Sequence, residues 1–112
     1  MELKFLYHPV KDLRASLLFY HDMGFKIAWQ QGAHTVAMSL PNSNIKLLLE
    51  DDELNLTAGG IFVVENVDDF YEQNKERYSF VKTPCDIPPG RYAIYQDLSE
   101  NLIRIIDLRN ER

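Results

Sequence analysis

Two cations in matching settings carry the chemical content of this sequence. Lys46 lies in Ile45-Lys46-Leu47 and Arg104 in Ile103-Arg104-Ile105, and each triplet follows a polar turn. Strand side chains alternate between faces, so each cation points away from the surface its aliphatic neighbours bury. Withdrawing such a charge from water is costly unless it is paired or reaches solvent. Pairing with a carboxylate such as Glu50, snorkelling to a rim and binding an anion all meet that condition. An anion would be held by Arg104 in bidentate fashion and by Lys46 as a point charge. Internal neutralisation without any ligand weighs equally with the anion at this level. If Phe5, Tyr7 and Pro9 share a face with Lys46, Leu48 and Arg104, that face is apolar and aromatic with two cations. Trp29, Tyr92, Tyr95 and Met38 could extend it, although aromatic strand residues more often serve the core. The expected ligand-binding residues are therefore Phe5, Tyr7, Trp29, Lys46, Leu48 and Arg104, and the expected ligand is a small, partly aromatic molecule with an anionic group.

Other chemistries find little support. The single cysteine, Cys85, offers no disulfide and no thiolate cluster, and lacks a basic neighbour that would activate it. His8 falls on the odd, helix-packed register of its strand, where a histidine bonded to backbone is the favoured reading over a metal ligand. His21 on a helix and His34 at a strand start are expected to be exposed. Glu50 reads as a partner for Lys46. No Ser-His-Asp spacing and no phosphate-cradling glycine loop occurs, and Gly59-Gly60 reads as a linker or close-approach pair. A net charge of -5 argues against a nucleic-acid surface. Hydrophobic residues make up 46% of the chain and charged ones 26%, the balance of a soluble domain, with no apolar run of membrane-spanning length. Glu50-Asp51-Asp52-Glu53 reads as a solvated connector. With no secretory pattern after Met1, the expected location is the cytoplasm.

The elements that must position these residues follow from local pattern. Residues 3–10 read as a first strand, with Pro9 near its end. Asp12 caps a helix whose Leu13, Leu17 and Tyr20 fall at helical spacing, with Leu18 and Phe19 expected to widen the apolar stripe, and Gly24 closes it. Strands are expected at 25–30, 34–40 and 45–49, then a linker from Asp51 to Thr57. The pattern repeats: a strand at 60–65, Asn66 as cap, a helix from Val67 to about Arg77, and strands at 80–83, 91–96 and 102–108. Pro84, Pro88, Pro89 and Gly90 are expected to form a loop. Val10-Lys-Asp-Leu matches Val64-Glu-Asn-Val at an offset of 54, and the closing strands match at 58, so one β-α-β-β-β unit is written twice. The 112 residues read as one domain, with module one at about 3–50 and module two at about 59–108.

Three segments in order carry a family resemblance over nearly the whole chain. They are Val10-Lys-Asp-Leu-Arg-Ala-Ser-Leu-Leu-Phe-Tyr with Gly24-Phe25, then Val64-Glu-Asn-Val-Asp-Asp-Phe-Tyr, then Asp97-Leu-Ser-Glu-Asn-Leu-Ile-Arg-Ile. The last stands where Asp-Pro-Asp-Gly-Asn-x-Ile-Glu-Leu is typical. The sequence resembles the vicinal oxygen chelate superfamily of glyoxalase I, extradiol dioxygenases and bleomycin-resistance proteins. That resemblance implies an α+β fold of two βαβββ modules, forming curled mixed sheets with a concave cup. Metal-using members hold a divalent ion there on first- and last-strand ligands of each module. Those positions fall here on Phe5, Lys46, Gly59 and Arg104, none of which can ligate. The resemblance thus implies a binding protein without metal or other cofactor, similar to the bleomycin-resistance branch, rather than an enzyme. A metal-dependent lyase, isomerase or dioxygenase and an interaction module without a ligand are the alternatives. Homodimers are common among such relatives, and open sheet edges give a physical reason to expect one here.

Overall fold

A computed structural model describes residues 1–52 and 57–112. It divides into two compact units, Lys4–Gly59 and Gly60–Arg112, the second joined by Met1–Leu3. The linker expected from Asp51 to Thr57 thus lies largely outside the described residues, as does Glu53 of the acidic run.

The first module carries β1 (Glu2–Pro9), α1 (Leu13–Asp22), β2 (Lys26–Gln31), β3 (Thr35–Ser39) and β4 (Lys46–Glu50). Its strand order is β2-β3-β4-β1, with β1 and β4 parallel. The Asp12 carboxylate accepts from the Ala15 N–H at 3.0 Å, satisfying a donor the helix leaves open. Gly24 ends the helix at a φ of 97°, where a Cβ would be strained. One face of the sheet meets α1 through Val36, Met38, Leu47 and Leu49, packed with Leu13 and flanked by Leu6, Leu17, Tyr20 and Phe25.

The second module repeats the order as β5 (Gly59–Val63), α2 (Val67–Asn74), β6 (Ser79–Ile87), β7 (Gly90–Gln96) and β8 (Leu102–Ile106), followed by a 3-10 turn at Arg109–Glu111. The strands run β5-β8-β7-β6, and β5 and β8 are parallel. Val67, Ala93, Tyr95 and Ile105 form the core beneath α2, with Phe62, Phe70, Tyr78 and Phe80 against them.

The structure corrects the sequence reading in three places. Helix α2 stops at Asn74 instead of about Arg77, because the Asn74 carbonyl accepts from both Arg77 and Tyr78 in a closing turn. Strand β6 does not stop at Thr83 but runs through Pro84 and Cys85 to Ile87. It lies at the end of the sheet order, and between Lys82↔Ile94 and Cys85↔Tyr92 two residues, Thr83 and Pro84, oppose the single Ala93. A bulge on an edge strand has no ladder bond for proline to break.

The third correction concerns the repeat. Val10 N donates to Glu50 O and Val64 N to Ile106 O, both at 2.9 Å, so with the first strands at an offset of 54 the closing strands correspond at 56, not 58. The turns do repeat at 58: Asn42 and Glu100 both take left-handed φ, 60° and 66°. Strand β4 begins four residues after its turn residue and β8 two residues after, which absorbs the difference. The ladder partner of Arg104 is Ile61, whose counterpart Tyr7 pairs with Leu48. Arg104 therefore corresponds to Leu48, and Lys46 to Leu102.

Asparagine tolerates the left-handed region, whereas glutamate there costs about 1–2 kcal/mol. Glu100 is exposed, so Glu100→Gly is expected to raise unfolding free energy by up to about 1 kcal/mol after the added flexibility of the unfolded chain. A thermal melt showing no gain, or a loss, would contradict this.

Candidate functional site

Away from α1, the first module presents a second face built by alternation. In register, Phe5 sits beside Lys46, Tyr7 beside Leu48 and Pro9 beside Glu50, while Thr35, Ala37 and Ser39 continue the rows across β3. Trp29 reaches this face through a bulge. Ile27 pairs with Met38 on the helix side, but Trp29 pairs with Ala37, since Ala28 is the extra residue between them. Were Ala28 paired in regular alternation, Trp29 would share the side of Ile27. Its indole meets the Phe5 ring edge-on, with centroids 6.1 Å apart and planes at 82°, while 39% of the residue stays exposed.

Phe5, Tyr7, Trp29, Lys46 and Leu48 are thereby brought onto one face. Phe5 and Tyr7 are buried, and Lys46 and Leu48 are half-buried. The expected Lys46–Glu50 pair does not form. Glu50 instead accepts from the Tyr7 hydroxyl at 3.0 Å and the Thr35 hydroxyl at 2.8 Å, using one carboxylate oxygen for each. Thr35 was missed by sequence reasoning, although the alternation of residues 35–39 would have pointed to it. Among the described residues Lys46 makes no ion pair. Met38, considered as a wall residue, is wholly buried on the helix side, because it is one step out of phase with Ala37. His8 also faces α1, but its Nδ1 lies 3.3 Å from the Tyr20 hydroxyl rather than bonding to backbone. An open depression of about 470 Å³ in this module shares none of the five residues; it lies between Lys11 and the start of α1, including Arg14, on one side and Gln30, Ala33 and Asp51 on the other.

In the second module Arg104 lies on the face away from α2, between Ile61 and Ile94 in register, and is fully buried. Tyr92 shares that face through its pairing with Ile106. Tyr95 does not: it faces α2 and stacks on Tyr78 at 5.0 Å and Phe70 at 5.6 Å.

The densest polar cluster is one the sequence reading passed over. Asp107, fully buried, accepts from the backbone N–H of Val67 at 2.8 Å and of Arg91 at 3.2 Å, and from the Arg109 guanidinium at 2.9 and 2.6 Å. Asp68 receives Arg91 in a fork at 3.2 and 2.9 Å and Arg109 at 2.9 Å. Burial alone would raise the Asp107 pKa, but the Arg109 guanidinium and then the backbone N–H groups of Val67, Arg109 and Arg91 outweigh it and bring it down to about 2. The same contacts raise that of Arg109, led by the bond to Asp107. Each of the four carboxylate oxygens accepts from a donor of the protein itself, so this cluster fastens α2 and the strand ends. It is not an open site. Elsewhere, the hydrogen bond that exposed His34 donates to the Asp51 carboxylate at 2.6 Å raises its pKa.

The donor set does not fit a metal. Phe5 and Gly59 offer no donor atom, Lys46 and Arg104 are cations, and moving to Leu48, the structural counterpart of Arg104, supplies no ligand. Among the described residues no three His, Cys, Asp or Glu side chains group as ligands.

Comparison with known proteins accounts for the architecture. The family described as Glyoxalase/Bleomycin resistance protein/Dioxygenase superfamily matches residues 5–105. No curated protein matches in sequence. Three crystal structures share the fold at low identity. That of an NAD-dependent benzaldehyde dehydrogenase from Legionella pneumophila is 18% identical, with TM-score 0.76, covering 93% of this chain and 97% of the other. Methylmalonyl-CoA epimerase from Mycobacterium tuberculosis is also 18% identical, with TM-score 0.71 and coverages of 95% and 87%. A glyoxalase/bleomycin resistance protein/dioxygenase superfamily member from Vibrio splendidus 12B01 is 16% identical, with TM-score 0.70 and coverages of 92% and 96%. A duplicated βαβββ unit, the three motifs in order and a family match across both modules lead to one conclusion: the chain belongs to the glyoxalase/bleomycin resistance protein/dioxygenase superfamily.

Proposed function

We propose that this protein binds a small, apolar or aromatic ligand bearing an anionic group, without a metal, and acts by binding rather than by catalysis. The observation that carries the proposal is the Phe5–Trp29 edge-to-face pair, left partly open on the same face as a half-buried Lys46 that has no carboxylate partner among the described residues. An aromatic ring extends such a pair, and an anion beside Lys46 supplies the missing countercharge. Tyr7 and Leu48 complete the apolar lining. Arg104, buried on the face of the second module away from α2, is likewise proposed as a ligand-binding residue. We further propose that the protein works as a homodimer in the cytoplasm, a location in keeping with its single, unbridged Cys85.

Trp29 is the protein's one tryptophan, so its fluorescence reports directly on the proposed face. Titration with a series of aromatic carboxylates is expected to give a saturable change. Lys46→Met is expected to weaken the anionic ligands about 10-fold, the loss of one charge-assisted contact, and to leave neutral analogues unchanged. Equal affinity of wild type and variant for anionic ligands would overturn the role of Lys46. Absence of any saturable response across the series would overturn the binding face itself.

A further inference from the structure

We infer that the outer face of α1 is a self-complementary interface that pairs, antiparallel, with the same helix of a second copy of this chain. The inference rests on the homodimer proposed above and assigns its surface. Helix α1 turns Leu13, Leu17 and Tyr20 to the sheet and leaves Leu18, Phe19 and Met23 exposed at 68%, 63% and 55%. Leu18 and Phe19 on one short helix, with Met23 at its C-cap, are more than scattered surface residues, and such a patch marks a contact site.

The charges beside the patch specify the occupant. Residues four apart form one row on a helix, so Arg14, Leu18 and Asp22 are aligned with leucine at the centre. Both ends of the row are exposed, and neither Arg14 nor Asp22 makes an ion pair among the described residues. Each also stands at the wrong end of its own helix. A cation near the N-terminus and an anion near the C-terminus both oppose the helix dipole. Rotating a second copy by a two-fold axis through Leu18 reverses that disadvantage. Arg14 then faces Asp22 of the other copy and the negative end of its helix, and Asp22 faces the other Arg14. Leu18 meets Leu18, with Phe19 alongside. A two-fold contact requires a surface complementary to itself, and a row with opposite charges equidistant from an apolar centre meets that requirement. The apolar residues supply affinity, and the charges fix the direction of pairing.

Sedimentation across a concentration series tests the surface with Arg14→Asp and Asp22→Arg. Each variant alone sets like charges against each other twice and is expected to weaken dimerisation at least 10-fold. An equimolar mixture of the two variants restores opposite charges at both contacts, so it is expected to dimerise as wild type does, and so is the double variant. Both positions are exposed, and far-UV circular dichroism confirms that each variant is folded. A dimeric wild type whose single variants dimerise undiminished would overturn the helix surface while leaving the homodimer standing on another surface, such as the edge of β2. A wild type that stays monomeric throughout would overturn both.

Discussion

Asp107→Ala is expected to cost about 3–5 kcal/mol of unfolding free energy, the range for removing one partner from a buried, hydrogen-bonded charge cluster. The substitution removes both bonds that the Arg109 guanidinium donates to Asp107, leaving Asp68 as its carboxylate partner, and leaves the buried Val67 N–H at the start of α2 without its acceptor. Urea unfolding followed by circular dichroism measures the loss; a change under about 1 kcal/mol would show that the cluster is dispensable. The same carboxylate sets an acid limit. Its pKa falls from 3.8 to about 2 on folding, so its contribution is complete above the unfolded value and is lost as pH falls through the folded one. Protonation is expected to remove about 1 kcal/mol by pH 3 and about 2 kcal/mol below both values. Asp68, whose pKa is lowered chiefly by its bond from Arg91, adds a loss of the same sign. Asp107→Asn should therefore flatten the decline of stability between pH 5 and pH 2. A variant whose stability falls as steeply as wild type would assign the acid sensitivity elsewhere.

Gly90→Ala is the second large effect, expected at about 3 kcal/mol. An added Cβ at Gly90 would overlap the Asp107 carbonyl oxygen and the Asp107 Oδ1. Neither can retreat. The carbonyl belongs to the backbone, and the side-chain oxygen is held by Arg91 and Arg109. Combining Gly90→Ala with Asp107→Ala removes the side-chain part of the overlap and keeps the backbone part. The double variant is therefore expected to be less damaged than the two losses added together, by about 1 kcal/mol or more. Strict additivity in denaturant midpoints at constant slope would contradict the close approach.

Most of the scaffold was legible because it follows local rules. Asp12 and Asn66 are caps whose side chains accept from Ala15 and Asp69, and the apolar period after each names the buried helix side. Alternation in β1 and β4 was enough to group Phe5, Tyr7, Lys46 and Leu48. What the chain hides is where alternation is interrupted. Ala28 and Thr83-Pro84 are bulge residues with no glycine to announce them, so the side taken by Trp29 and the length of β6 depend on cross-strand pairing. Tyr95 and Tyr92 look equivalent as aromatic strand residues, yet they are three positions apart on β7 and face opposite sides. Glu50 was matched to Lys46 by charge, although Tyr7 and Thr35 from the adjacent strands hold both of its oxygens. The Asp107 cluster is assembled from α2, β7 and the chain end, a combination that no spacing in the sequence reveals.

The two-residue difference between the turn repeat and the ladder repeat has a consequence in parity. An even change in the connection before β4 or β8 slides the strand while keeping inside and outside distinct. An odd change exchanges them, sending Lys46 and Glu50 under α1 and delivering Leu47 and Leu49 to the face of Phe5 and Tyr7. Natural or engineered length variation at residues 41–45 and 97–101 should thus be accepted in pairs and rejected singly.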